Sequence, residues 1–291
     1  MNLRLVKNID RDDELRRSFD ELARSTFDIS FEAWHDAGWW TDRYRPYALA
    51  EGRRVLANAS VNLMSLVRPD GQRRNLLQLG TVMTDPARRN QGLARRLMET
   101  ILEEWTGRVD GFFLFANDSV LDFYPKFGFE RRPEYQYWQP WTRRPAAGGL
   151  RRLDLSLAAD VELLRRLYQG GNPWSALSSA DNFGLLMFYG LGPLKDFFRY
   201  SEALDAVFVA AEEDGELLCF EALGRPDVNL TDLLSLAAGP ATTRLTMGFT
   251  PIQTDGWLAH PLAGDEALFV RGWSGHEFLK NKLRFPLLSH A

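Results

Sequence analysis

The segment that most restricts the fold of this chain is an apolar strand that leads through a charged turn into an amphipathic helix. The strand is NLLQLGTVM, residues 75–83, and the helix is LARRLMETILEEWTG, residues 93–107. Apolar residues recur every three or four positions in the helix, which places them on one face. Because such a helix buries that face against a sheet, the pattern predicts an α/β fold.

The rest of the first half supports this interpretation. The segment DRDDELRRSFDELAR, residues 10–24, predicts an early helix with acidic residues in its first turn. Hairpin turns are predicted at Glu51-Gly52 and at Asp70-Gly71. A buried strand, a short helix and a final strand follow the amphipathic helix. The predicted order of elements is therefore β-α-α-β-β-β-α-β-α-β.

The turn TDPARRNQG, between the strand and the amphipathic helix, has the features of an anion site. N–H groups at the start of a helix point outward together, and the helix dipole favours negative charge there. Gly92 allows a phosphate to approach the backbone, Ala94 leaves room at the first helical turn, and Arg89 can add a charged fork. The alternative is a solvated basic turn in which Gly92 only caps the helix.

Two motifs in this half resemble one family. Arg89-x-x-Gly92-x-Ala94, at the start of the amphipathic helix, resembles the pyrophosphate signature of the GNAT acyltransferase superfamily. Downstream, FLFANDSVLDFYPKFGFERR, residues 113–132, resembles the second conserved block of that family. The resemblance implies an α/β (α+β) fold with a mixed, mostly antiparallel sheet flanked by helices. It also implies acetyl-CoA or another acyl-CoA as co-substrate, no metal, and an amine as acceptor.

By this resemblance, backbone groups form the donor site. The N–H groups that would bind the pyrophosphate of coenzyme A belong to Arg89, Asn90, Gln91, Gly92, Leu93 and Ala94. Val82, Met83 and Thr84 would pair with the pantetheine arm as an added strand does. The N–H group of Val82 or Met83 would also polarise the thioester carbonyl.

The resemblance assigns roles to two side chains as well. Asn117 would hold the pantetheine or the acyl region, or else it only caps the short helix that follows. Tyr124 would be the general acid that protonates the departing thiolate, since a phenol with a pKa of about 10 is protonated at neutral pH. The alternative for Tyr124 is simple packing.

The general base is not identified by the sequence. Many family members carry a glutamate on the strand before the turn, but this chain has Gln78 there, which cannot act as a base. The candidates are a water chain, His35 or Asp36, and the end of the chain with His290 and a carboxylate.

The aromatic segment FEAWHDAGWW, residues 31–40, lies where this family builds its acceptor site. Trp34, Trp39 and Trp40, together with Tyr44 and Tyr47, are predicted to form an aromatic wall against a cationic or apolar acceptor. The alternative is a lid that packs on the core.

The second half repeats the pattern of the first half without its chemistry. A strand and a helix open it, and a hairpin that turns at Asp214-Gly215 is similar to residues 47–64. Because no segment matches the pyrophosphate signature, we predict two tandem GNAT-like domains: a catalytic domain, 1–143, and a degenerate domain, 150–291. A linker that contains Pro and Gly joins them.

The segment NFGLLMFYGLGPLKDFF, residues 182–198, is too apolar for a free surface helix. It predicts core packing, a contact between the two domains, or a homodimer contact.

Composition sets the remaining expectations. The single Cys219 excludes an internal disulfide and a cysteine-based zinc site. No apolar run reaches the ~20 residues of a membrane helix, the first residues are charged too early for a secretory signal, and no basic block suggests nucleic-acid binding. We therefore expect a cytoplasmic protein without membrane or nucleic-acid partners.

The leading prediction is an N-acetyltransferase that transfers an acyl group directly from acetyl-CoA to an amine within a ternary complex. The alternative is a regulatory or interaction protein that binds acyl-CoA without turnover.

Overall fold

The computed structural model describes residues 3–7, 9–146, 148–264, 266–273 and 280–291, which form two mixed sheets flanked by helices. The helices are α1 Asp13–Phe27, α2 Glu32–Asp36, α3 Leu93–Trp105, α4 Ala158–Gln169, α5 Phe183–Leu191 and α6 Leu230–Ala237. The strands are β1 Arg4–Val6, β2 Tyr44–Glu51, β3 Arg54–Val67, β4 Arg73–Thr84, β5 Gly111–Asn117, β6 Glu130–Arg132, β7 Tyr135–Pro140, β8 Arg151–Arg152, β9 Ser178–Ala180, β10 Phe198–Ser201, β11 Ala206–Glu213, β12 Glu216–Leu223, β13 Arg244–Met247, β14 Leu258–Pro261 and β15 Glu266–Arg271. This architecture confirms the predicted fold class.

The first sheet has helices on both faces. Its strands run in the order β1-β2-β3-β4-β5-β15-β6 within the described residues, and β9 pairs with β3 beside this path. Helix α3 buries Leu97 and Ile101 against one face, as the apolar period predicts. Helices α1 and α2 cover the other face with Phe19 and Trp34. Asp12 caps α1 by accepting N–H groups of its first turn, which explains why the helix begins there.

The second sheet repeats the arrangement of the first sheet. Its described strands run in the order β14-β7-β13-β12-β11-β10-β8. In both sheets a helix connects two parallel neighbours, since α3 connects β4 to β5 and α6 connects β12 to β13. Strands β8, β10, β11, β12 and β13 therefore correspond in position to β1 through β5.

The structure corrects the register of the internal repeat. The hairpin that turns at Asp214-Gly215 connects β11 to β12, so it corresponds to the hairpin of β3 and β4. The sequence comparison with residues 47–64 selects the hairpin of β2 and β3 and is wrong by one hairpin. Adjacent hairpins share the same alternation of apolar and polar residues, so sequence pattern does not distinguish them.

The two sheets exchange a strand. Strand β7 follows β6 in the chain but pairs with β13 and β14 in the second sheet. Strand β15, from the other end of the chain, lies between β5 and β6 in the first sheet. Each sheet thus contains a strand from the other side of the predicted linker, and the segments 1–143 and 150–291 interlock.

Helix α5 fills the space between the two halves. Its Leu185 packs against the first sheet, whereas Leu186 and Met187 pack with residues of the second half. Trp34 in α2 donates its indole N–H to the carbonyl of Gly184 at 2.7 Å. The apolar segment 182–198 is therefore a contact between the halves. In the described part of the chain, no helix has both the length and the apolar character that crossing a membrane requires.

Candidate active site

A groove of about 1490 Å³ lies in the first sheet where β4 and β5 diverge. The two strands pair in parallel only from Leu76 with Gly111 to Gln78 with Phe113. Strand β4 continues to Thr84, while β5 pairs on its other side with β15. Within the described residues, the edge of β4 beyond Gln78 has no strand partner on the side of the groove. An extended ligand can therefore pair with it as an added strand.

The turn between β4 and α3 presents backbone N–H groups at the end of this edge. Asp85 holds the start of the turn, since it accepts the N–H of Ala87 at 2.9 Å and pairs with Arg54 at 2.6 Å. Asn90 and Gly92 have left-handed backbones, with φ of +61° and +76°. No described side chain caps α3, so its first N–H groups remain available to an anion.

Most of the residues predicted to bind the donor come together in this groove. Its lining includes Val82, Met83, Thr84, Arg89, Asn90, Gly92, Leu93, Ala94, Asn117 and Tyr124. Gln91 is not in the lining, and its amide turns back to the carbonyl of Ala87 at 3.4 Å. The assigned roles stay predictions, but the proximity on which they depend is present.

Positive charge gathers at the turn. Arg88, Arg89, Arg95 and Lys126 line the groove at this end. Arg88 contacts Glu51 at 3.3 Å, and Arg95 contacts a glutamate one helical turn later. Arg89 has no ion-pair partner in the described part of the chain. Its guanidinium is therefore available to a phosphate.

Tyr124 and Asn117 lie on the β5 side of the groove. The ring of Tyr124 packs against Phe129 and against Phe269 of the exchanged strand β15. Burial raises the pKa of Tyr124 to about 12, so its hydroxyl is protonated at neutral pH and can donate. Asn117 accepts the N–H of Ser119 at 3.1 Å, so it caps the following turn and lines the groove at the same time.

The other end of the groove is apolar, with carboxylates at its margin. Phe27, the last residue of α1, and Ile29, just after it, line the groove and are 39% and 38% exposed. Phe188 from α5 stacks on a phenylalanine of the first half and lines the same wall. Asp28 and Glu266 are the acidic side chains of the lining, and Asp28 lies between the exposed Phe27 and Ile29 in the chain.

Comparison with known proteins agrees with this geometry. Residues 48–131 match the family model of the acetyltransferase (GNAT) domain. The chain contains a GNAT domain. The match includes β4, the turn and α3, and it ends just after the segment that carries Tyr124.

Solved structures of similar fold extend over both halves. A conserved protein of Enterococcus faecalis, described as a probable N-acyltransferase, has a TM-score of 0.65 at 14% identity, over 97% of this chain and 75% of that chain. A GCN5-related N-acetyltransferase from Kribbella flavida has a TM-score of 0.57 at 18% identity, over 93% of this chain and 72% of that chain. At these identities the likeness shows the fold, including that of the region outside the GNAT domain match.

The predicted aromatic wall divides between groove and core. Trp34 lines the groove. Trp39 instead packs on Phe183 with ring centroids 5.5 Å apart, and Trp40 packs on Phe19 at 5.6 Å. Neither Trp39 nor Trp40 is in the groove lining, so the packing alternative describes these two residues.

The histidines predicted as candidate bases are poorly placed or poorly suited. His35 contacts the carbonyl of Asp10 and the carboxylate of Asp36, and neither His35 nor Asp36 lines the groove. His290 does line it and stacks on Phe115 with ring centroids 3.6 Å apart. Burial lowers the pKa of His290 to about 3, so its imidazole is neutral but only weakly basic.

Besides α5 and His290, the second half brings Glu266 and Ala291 to the groove, and the sequence prediction named only the end of the chain among these two. Glu266 starts β15 opposite Asn117, and its charge adds to burial in raising the pKa of Tyr189. The main-chain oxygen of Ala291 accepts the amide of Gln78 at 3.2 Å and packs against Gly80, where a Cβ would overlap it. Only the return of the chain to the first sheet brings these residues to the GNAT domain.

Proposed function

We propose that this chain is an N-acyltransferase that uses an acyl-CoA donor, with acetyl-CoA as the simplest case. The observation that carries the proposal is a continuous set of backbone groups along one groove. The open edge of β4 leads directly into a turn with left-handed Asn90 and Gly92 and into the uncapped start of α3. A pantetheine arm and a pyrophosphate are joined in the same order, so both can bind at once.

The chain's own residues would act as follows. N–H groups at the start of α3, with Arg89, bind the pyrophosphate, and residues 82–84 pair with the pantetheine arm. A main-chain N–H of Val82 or Met83 donates to the thioester carbonyl and stabilises the oxyanion as the amine attacks. The amine loses its ammonium proton to water before it attacks, a C–N bond forms and the C–S bond breaks. The second proton on nitrogen also passes to water, and the sulfur leaves as a thiolate beside Tyr124.

Tyr124 would act mainly as a hydrogen-bond donor to the departing thiolate. An ordinary thiol has a pKa of about 8.5, so complete transfer of a proton from a phenol with a pKa of about 12 is uphill. Negative charge develops on sulfur as the C–S bond breaks, so a hydrogen bond from Tyr124 stabilises the transition state more than the neutral thioester and lowers the barrier without prior ionisation of the tyrosine.

The acceptor proposed here is a protonated amine with an apolar body. Phe27 and Ile29 offer exposed apolar surface, and Asp28 and Glu266 offer negative charge at the same end. The arginines of the lining lie in or just after the turn before α3, whereas these two carboxylates come from other segments of the chain. This charge distribution favours an anionic donor at one end and a cationic acceptor at the other.

The deciding experiment measures release of the CoA thiol from acetyl-CoA with a panel of primary amines. We expect turnover with amines that have an aromatic or aliphatic body and little or none with amines that also carry a carboxylate. If calorimetry detects CoA binding but no amine on the panel causes release, the chain fits the second candidate, a protein that binds acyl-CoA without turnover. Absence of CoA binding would overturn both candidates.

A Glu266→Gln variant tests the acceptor end. We expect the KM for the best amine to rise about tenfold, which corresponds to 1.4 kcal/mol, with little change in the KM for acetyl-CoA. Glu130→Gln is the matched control, because Glu130 lies on the neighbouring strand β6, is exposed and does not line the groove. An equal effect of both substitutions would refute a specific role for Glu266.

A further inference from the structure

Thr81, on the edge of β4 in the groove, has a backbone conformation that its residue type disfavours. Its φ is +49°, in the left-handed region. Such a φ is a genuine outlier for a β-branched residue. It lies in a β-bulge, where the pairing of β3 with β4 passes from Asn58 with Met83 to Ser60 with Gly80. Strain of this kind persists only where surrounding contacts impose it.

Two polar side chains from neighbouring strands hold Thr81. The hydroxyl of Tyr44 on β2 lies 2.7 Å from the Thr81 hydroxyl. The amide of Asn58 on β3 donates to the Thr81 carbonyl at 2.9 Å and also to the hydroxyl of Ser60. Tyr44 and Asn58 are 5% and 0% exposed, so each bond has one buried partner and one partner, Thr81, that is half-buried at the groove.

These contacts act on the peptide that joins Thr81 to Val82. A peptide unit is planar, so the bond from Asn58 to the Thr81 carbonyl also sets the direction of the Val82 N–H. The bond from Tyr44 fixes the Thr81 side chain and thereby limits rotation of its backbone. These two hydrogen bonds, the tethers of Thr81, therefore both end on the residue that precedes the predicted oxyanion-binding N–H groups.

We propose that Tyr44 and Asn58 are positioning residues that hold Thr81 in its left-handed conformation and so aim the main chain of Val82 and Met83 at the thioester. This inference rests on the proposed function. It assigns a role in the reaction to Tyr44, which is largely buried but lines the groove, and to Asn58, which is fully buried and outside the lining.

The test compares Tyr44→Phe with Tyr47→Phe in steady-state acyl transfer. Tyr47 lies on the same strand but on the other face, where its hydroxyl accepts the indole N–H of Trp105 at 2.8 Å. Both variants lose one buried hydrogen bond. We expect kcat to fall about tenfold in Tyr44→Phe, with CoA affinity within about twofold of wild type, and to stay near wild type in Tyr47→Phe. Equal kcat values in the two variants would overturn the proposal.

A second variant separates positioning from a loss of packing. Glycine adopts positive φ without steric cost, so Thr81→Gly no longer needs the tether. We expect Tyr44→Phe to reduce kcat less than about twofold in the Thr81→Gly background. If the tenfold loss persists there, Tyr44 does not act through Thr81.

A crystal structure of Asn58→Ala gives a readout that does not depend on turnover. We expect Thr81 to leave the left-handed region in that variant, and an unchanged positive φ would contradict the role of Asn58. If the wild-type protein transfers no acyl group at all, the proposed function fails, whereas this backbone measurement still decides whether the tether exists.

Discussion

The turn from β4 to α3 and the turn from β12 to α6 occupy equivalent places in the two sheets but have opposite chemistry. In the first turn, Gly92 precedes a helix that no described side chain caps. In the second turn, Asn229 caps α6 by accepting the N–H of Thr231 at 2.7 Å. Arg225 is paired with Asp227 at 2.8 and 3.1 Å. The second turn thus satisfies its own N–H groups and charge, so it has little to offer a phosphate.

The room around the glycine of each turn also differs. A Cβ added at Gly92 would meet no atom within 4 Å. A Cβ added at Gly224, at the start of the second turn, would lie 2.9 Å from Ala206 and 3.0 Å from Trp174. The indole N–H of Trp174 also donates to the carbonyl of Val228 at 2.8 Å. Side chains of the second half therefore occupy the volume that a ligand would need.

The two sheets also differ where their parallel strands diverge, because the gap is open in the first sheet and bridged by hydrogen bonds in the second. In the first sheet, the gap between β4 and β5 is the groove. In the second sheet, the N–H of Gly248 donates to the carbonyl of Cys219 at 2.7 Å, and the N–H of Leu287 donates to the carbonyl of Gly248 at 2.9 Å. Arg284 bonds the carbonyl of Met247 at 3.1 Å. The comparison teaches that one topology forms a ligand site only where its backbone groups are left unpaired.

The largest effect that would sharpen this comparison concerns Tyr124, which belongs to the first half. We expect Tyr124→Phe to lower kcat by ~10²–10³-fold, the usual range for loss of a hydrogen-bond donor to the transition state, with CoA affinity nearly unchanged. Tyr200→Phe is the control in the second half, where the hydroxyl bonds Asp205 at 2.9 Å, and should keep wild-type kcat. Wild-type turnover in Tyr124→Phe would show that this residue only packs.

An intermediate effect concerns the stability that the second half contributes. Glu221 on β12 is buried, and burial raises its pKa from 4.5 to about 7, although it accepts the amide of Asn172 and the N–H of Ala222. Below about pH 4.5 the carboxyl is protonated in both the native and the unfolded state. As pH rises to about 7, only the unfolded state releases the proton freely, so stability falls. The loss is at most roughly 3 kcal/mol and is complete above pH 7.

Glu221→Gln should abolish this dependence, since glutamine keeps the acceptor oxygen without the charge. We expect urea unfolding to give a free energy of unfolding that falls less from pH 5 to pH 8 than in wild type. Glu213→Gln, at an exposed position of the same hairpin, should retain the wild-type dependence. Parallel pH profiles for wild type and Glu221→Gln would contradict the burial argument.

The smallest effect tests the contrast between the turns directly. Arg89→Glu combined with Gly92→Asp places charge and bulk where the phosphates should bind. We expect calorimetric CoA affinity to fall at least ~10-fold, about 1.4 kcal/mol, while Arg225→Glu leaves it unchanged. CoA should bind to the wild-type protein with a stoichiometry of one per chain. A second CoA site, or unchanged affinity in the double variant, would break the comparison.

The first half was predictable because its signals are local. Gly92, the apolar period of α3 and the turns at Gly52 and Gly71 act within a few residues, so each can be interpreted without the rest of the chain. The conformation of Thr81 was not predictable, because its positive φ depends on Tyr44 and Asn58 from other strands. The same limit explains why Trp39 and Trp40 were predicted at the groove but pack in the core.

The sequence by itself determined the main helices and strands of the first half and the glycine turn before α3, since backbone conformation and capping are decided by adjacent residues. Only the tertiary structure decided which strands neighbour each other. It placed β15 in the first sheet, α5 along the groove and Glu266 opposite Asn117. Such contacts join residues far apart in the chain, and their stability comes from surfaces that meet only after folding.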